Sequence, residues 1–358
     1  MRRKAFYLSL TAMVWGCGDD ASPTDAGVDT AIADAGTDVA EDVPGDAGVD
    51  AFDAGFDAGP PCDGPPGLYI DPDCEELSPE ILPYNPQFWL WSDGTDKGRF
   101  IAFPDGAVID SRDEDAWVFP VGTRIWKNFD LDGMHLETRY FEKTRAGEGL
   151  STWRIRTYQW NEDQNAVTEV TDGAFNVLGT DHDIPPVAAC GRCHDGGAQP
   201  DIVLGFGSIQ LNHDDSDVTL ADLESMGLLS DPVDEALAVI PTPDPVVREA
   251  LGYLHANCGH CHGGFAPAAG MRLFLETGTA TIEETGAYQT AVGQPSAWVT
   301  PEATTRVVPG DPEASTLFLR MNTREPVNQM PPLATEAVDD VGLEEVRQWI
   351  LSLPTDGG

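Results

Sequence analysis

Basic residues are what this sequence has least of. Among 358 residues there are 20 Lys and Arg against 61 Asp and Glu, for a net charge of −41. No Lys or Arg lies between Lys4 and Lys97, so much of the excess falls in one stretch. Nucleic-acid binding needs a basic footprint and is excluded as a class, whereas charge of this sign permits electrostatic steering of a basic protein partner. Long apolar runs are also lacking. The run Ala5 to Trp15 is too short to span a bilayer as a stable anchor, and no other stretch approaches that length. The apolar content of 41% is ordinary, and the length exceeds one small core, so two or three domains are expected.

The beginning of the chain reads as an export signal over residues 1–17. Arg2, Arg3 and Lys4 precede the apolar run, and Gly16-Cys17 stands where a lipoprotein signal would be cut, leaving Cys17 as a lipidated N-terminus. Trp15 is bulky for that box, so ordinary signal cleavage nearby is the alternative. Gly18 after Cys17 points toward the outer membrane; otherwise the protein is periplasmic. Residues 18–61 repeat Asp-Ala-Gly from Asp25, Asp34, Asp46, Asp53 and Asp57. So little apolar surface and so many like charges predict a disordered acidic tether. The seven cysteines then sort into Cys17, the pair Cys62 and Cys74, and two Cys-x-x-Cys pairs. Cys62 and Cys74 form either a disulfide, plausible outside the cytoplasm, or free thiols.

Over 62–186 the pattern is β-like. Arg99 to Phe103, Trp117 to Phe119, Thr123 to Trp126, His135 to Phe141 and Thr152 to Trp160 are short and rich in β-branched and aromatic residues. Turn residues such as Asp132-Gly133 separate them, which predicts an antiparallel β-sandwich or barrel. Beyond Pro186 helices are expected at Leu220 to Leu229, at Pro245 to Asn257 after the cap Asp244, and near the end. There Asp339 or Asp340 caps a stripe of Leu343, Val346, Ile350 and Leu353. The fold class is therefore α+β and multidomain, with a β region followed by a mainly helical one.

The chemistry lies in two motifs of the helical region, Cys190-Gly-Arg-Cys193-His194 and Cys258-Gly-His-Cys261-His262. Two thiols at this spacing can each add across a vinyl group of one porphyrin, and the adjacent imidazole reaches its iron. A chance match is expected roughly 0.003 times in such a chain, so two matches point to two covalently bound haem c groups. One zinc ion shared by the two pairs is the alternative. His194 is the proximal iron ligand of the first motif by position. Its distal partner is open among Met226, His213, His182 and the pair Met134-His135, or the site has none. His255 and His260 flank the second motif as bystanders or as propionate partners.

The second motif resembles a class I cytochrome c. Leu254 to Asn257 lead into Cys258, a final helix carries Trp349, and Met330-Pro331-Pro332 lies between them. That resemblance implies that the first and last helices cross at Ala250 and Leu254, and that His262 and Met330 are the axial pair. A thioether ligand raises the potential relative to two histidines. Leu90 to Arg99, Phe119 to Thr123 with Lys127, Glu137-Thr-Arg139, Thr157 to Asn161, Leu204-Gly-Phe206 and Gln210-Leu-Asn212 extend the likeness over roughly residues 80–353. In that order they resemble an exported family of di-haem c-type cytochromes, or haem-binding lipoproteins. The implied layout is a β domain over 62–186, a first haem-binding segment over 187–240 and a class I cytochrome c-like domain over 241–358. Lys97, Arg99 and Arg139 are read as solvated or salt-bridged strand residues, or else as a polar site or propionate partners. The expected function is electron transfer to a redox partner, with membrane attachment through Cys17 and no nucleic acid. The alternatives are a di-haem peroxidase with an open first haem, and a β domain that binds an extracellular ligand.

Overall fold

The computed structural model describes residues 62–195, 201, 203–264, 270–333 and 335–355. The export signal, Cys17 and the acidic tether lie outside the described residues. Six strands form one antiparallel sheet in chain order. They are β1 (Leu82–Pro83), β2 (Arg99–Ala102), β3 (Arg124–Leu131), β4 (Met134–Lys143), β5 (Trp153–Trp160) and β6 (Val167–Glu169). The β3–β4 hairpin turns at Asp132 and Gly133, with φ of 51° and 80°. Both are left-handed, as a two-residue type I′ turn requires, and an Asp-Gly pair adopts that shape readily.

Strand register decides what each face carries. Ile125 pairs with Phe141 and Phe141 with Ile155, while Trp126 pairs with Tyr140. Alternation then sends the first set to one face and the second to the other. Ile101, Ile125, Phe141 and Trp153 pack under Phe206, Leu211, Leu220 and Leu223. On the opposite face Ala102, Trp126, Tyr140 and Tyr158 meet Leu68 and Ile81. Segments of helix and loop thus cover both faces. The expected sandwich or barrel is corrected to a single open sheet with β1 and β6 at its edges, because its apolar faces are already buried without a second sheet. Cys62 and Cys74 are disulfide-bonded, with 5.5 Å between their Cα atoms, and pin the segment that covers the second face.

Among the described residues seven α-helices follow: α1 (Gly191–His194), α2 (Ser208–Leu211), α3 (Leu220–Ser225), α4 (Pro245–Asn257), α5 (Gly286–Ala291), α6 (Thr316–Met321) and α7 (Asp340–Ser352). Thr219 and Asp222 form a capping box at the start of α3. That helix stops short of Leu229 because Gly227 takes φ 67°. Asp244 caps α4 by accepting from Val246 N, with Pro245 in the first turn, and Asp339 caps α7 by accepting from Gly342 N. Helices α4 and α7 pack together around Ala250, Leu251, Leu254, Val346, Trp349 and Ile350, each 0% exposed. Phe88 and Leu90, from ahead of β2, join that core. Gly342 and Gly252 allow the approach. A Cβ at the first would lie 2.0 Å from the Tyr253 ring, and at the second 2.1 Å from the Phe88 ring. Among the described residues no helix is long and apolar enough to cross a membrane.

Candidate metal centre

Both motifs fold into the same local shape. Cys193 N and His194 N donate to the Cys190 carbonyl at 3.2 and 3.0 Å, and Cys261 N and His262 N donate to the Cys258 carbonyl at 3.1 and 2.8 Å. Each motif is therefore one helical turn, with two thiols and an imidazole at i, i+3 and i+4 on one side. The first follows a single turn at Val187–Ala189, and the second begins at the C-cap of α4.

The fold brings the two turns together. Ligand atoms of Cys193, His260 and Cys261 all lie within 4.8 Å of one another, and Cys261 Sγ is 3.4 Å from the Arg192 carbonyl oxygen. A hydrogen bond from Cys261, assisted by His260, holds the Cys193 thiol well below its ordinary range in spite of burial, while the same bond pushes Cys261 up. Burial alone pushes Cys258 up to about 12 and also raises Cys190. His260, expected as a bystander, stands at this junction.

His255 is held by the backbone through one ring nitrogen. It is buried, its Nδ1 accepts from Leu275 N at 3.0 Å, and burial followed by the charge of His260 lowers its pKa to about 4. The folded chain therefore keeps it neutral where the unfolded chain binds a proton. Stability from this group is complete above the ordinary histidine pKa and is lost as pH falls from about 6.5 toward 4, amounting to about 3 kcal/mol. Urea midpoints of the native chain and a His255→Asn variant should diverge across that window. Parallel curves would refute the assignment.

At the first motif, the His194 ring stands edge-on to Phe141 with 5.0 Å between centroids, so it lies on the sheet face that carries Ile125. Each candidate distal ligand has surroundings of its own. Met226 caps α3 and is 46% exposed, so it is neither core nor buried ligand. His213 uses both ring nitrogens, Nε2 with the Asn85 carbonyl at 2.9 Å and Nδ1 accepting from Asp215 N at 3.2 Å. His135 Nδ1 meets Asp130 Oδ1 at 2.5 Å, and Met134 is exposed at the start of β4. His182 is buried against Phe129, with Nε2 2.9 Å from Glu137 Oε2.

Met330 sits in a loop tied down by its backbone. Its N–H donates to the Arg320 carbonyl at 2.9 Å, and Gln329 Nε2 donates to the carbonyls of Pro331 and Thr335 at 3.3 and 3.2 Å. The neighbours Gln329 and Pro332 line a cavity of about 550 Å³, whose other wall includes Ile184, Pro185 and Pro186 just ahead of the first motif. The donor set, two thiols and an imidazole on each turn, fits haem c. So do the buried donors Trp349 Nε1 and Arg99 Nη2, which have no acceptor. Such donors are costly to bury unmet, and a group with carboxylate arms supplies acceptors.

Lys97 and Arg99 are buried rather than solvated, at 7% and 2% exposure, and part-buried Lys127 and Arg139 stand beside them. Burial, then the charge of Arg99, lowers Lys97 to about 8, and burial with three neighbouring cations pushes Lys127 well below the lysine range. Arg139 makes a two-pronged pair with Glu137, at 2.5 and 3.1 Å. Burial works to raise Glu137, but Arg139 and His182 hold it below the usual carboxylate range. No protein-family model, curated protein or solved structure matches this chain.

Proposed function

We propose that the protein is an exported di-haem c-type cytochrome that passes electrons in the cell envelope. The observation that carries this reading is the pair of identical one-turn Cys-x-x-Cys-His folds standing side by side. Haem iron, when bound, would supply one-electron redox chemistry, and the polypeptide would tune its potential. Cys190 and Cys193 would anchor one porphyrin, and Cys258 and Cys261 the other. His194, His262 and Met330 would ligate the irons, the last two in a class I cytochrome c-like region built on α4 and α7. The surplus of carboxylates suits a basic redox partner, and Cys17 would hold the protein to a membrane through lipid.

The test is the haem content of the full chain, made in a host that attaches haem c. Pyridine haemochrome spectra and intact mass should give two haems per chain, and one in a Cys190→Ala/Cys193→Ala variant. A chain without haem sinks the proposal. A high-spin first haem that reacts quickly with peroxide would instead favour a peroxidase. A second reading rests on the 4.8 Å cluster of Cys193, His260 and Cys261, a thiolate–imidazole set suited to zinc. One bound zinc and no haem would select it.

A further inference from the structure

Half of one sheet face carries cations without anions to match. Arg99 pairs directly with Lys127, and Lys127 with Arg139, so the three form a row across β2, β3 and β4. Directly opposed strand residues have Cβ atoms about 5 Å apart, and like charges there repel. Lys97, two positions before Arg99, extends the row. Three of the four converge on the buried Phe129 ring, with Arg139 Cζ 4.3 Å, Lys127 Nζ 5.0 Å and Lys97 Nζ 6.0 Å from its centroid. Glu137 pairs with Arg139 and with His182. Lys97, Arg99 and Lys127 make no ion pair among the described residues.

Lys97 Nζ donates to the Thr95 carbonyl at 2.6 Å, but the buried Arg99 Nη2 has no acceptor among the described residues. A chain with 61 carboxylates has ample means to neutralise this row. Burying unpaired cations is strongly unfavourable, so the row calls for an anion beyond those that the described residues supply.

The position of the row identifies that anion. The His194 imidazole lies on Phe141, two residues from Arg139 on the same face of β4, or about 7 Å along the strand. Cys190 and Cys193 both interact with the charge of Arg139. A porphyrin attached there has its edge within reach of the row, and two carboxylates are the charge the row lacks. We propose that Lys97, Arg99, Lys127 and Arg139 form a built site for the two propionates of the haem held by Cys190, Cys193 and His194. This rests on the haem reading of that motif. The propionate edge then points onto the sheet, and the buried cations favour the reduced iron electrostatically.

The experiment is a potentiometric titration of the haem-loaded full chain beside Lys127→Met and Arg99→Met variants, with haem counted in each. Two haems should remain. One midpoint should fall, by a threefold to tenfold shift in the one-electron equilibrium or up to about 59 mV, and the other should stay in place. The same fall should persist in a Cys258→Ala/Cys261→Ala background, which retains only the first haem. Two haems with both midpoints unmoved in both variants overturn the assignment and leave the cytochrome reading standing. Absence of haem overturns both. A native midpoint that follows added inorganic phosphate at fixed ionic strength, with the Lys127→Met midpoint indifferent to it, shows a free anion in the row and overturns the propionate assignment.

Discussion

A Met330→Ala variant is expected to keep both haems and its fold while one haem changes from low to high spin. The tethering bonds around this residue run through backbone atoms and through Gln329, Thr335 and Arg320, none of which the truncation removes. What it removes is the thioether, a soft ligand that favours ferrous iron and raises the potential. The midpoint of the second haem should therefore fall by more than tenfold in its one-electron equilibrium, or over about 59 mV. The methionine–iron charge-transfer band should vanish, and the first haem should be unaffected. Optical and electron paramagnetic resonance spectra during the titration separate the two. If the band and both midpoints survive, Met330 is only a packed loop residue and the axial pair must be sought elsewhere.

The parts that could be read in advance carry their signal locally. The Asp244-Pro245 start predicts α4 over the span that forms, and Asp339 with its apolar stripe predicts α7 to within a residue. Both motifs are self-contained turns, so their shape needs no tertiary information. Trp117 to Phe119 has a strand's composition, yet Val118 makes only an isolated bridge with Asp110, and its aromatic neighbours pack instead around Phe206. Helices α5 and α6, of six residues each, are too short for a helical period to stand out. The cation row was legible only in part. Lys97, Arg99 and Arg139 could be offered as a polar site or propionate partners beside the reading as ordinary strand residues, and only the register that opposes Arg99 to Lys127 to Arg139 adds Lys127 and makes them one site. The meeting of Cys193 with Cys261 is likewise set by packing between distant segments.

The largest loss of stability is expected at Asp201, which no motif or pattern along the chain singles out. Lys143 Nζ donates to both of its oxygens, at 2.5 and 2.7 Å, and both side chains are 0% exposed. Trp153 Nε1 and Phe119 N also donate to it, at 2.9 and 2.8 Å. One carboxylate therefore ties β4, β5 and the segment before Thr123 to the stretch of chain that follows the first motif. Asp201→Ala leaves the Lys143 ammonium buried with only the Gly147 carbonyl, at 2.7 Å, and orphans two further donors. Breaking a buried pair from one side costs about 3–5 kcal/mol. Replacing both partners, as Asp201→Leu with Lys143→Met, should recover much of that, because no charge is then stranded. Urea unfolding of both variants beside the native chain measures the stabilities, and their haem counts report on function. Loosening Asp201 should lower occupancy at Cys190 and Cys193 before it touches Cys258 and Cys261, since the latter stand on the separate α4–α7 core. An alanine variant within about 0.5 kcal/mol of the native chain, the range of an ordinary surface change, would mean that this pair does not hold the first motif against the sheet.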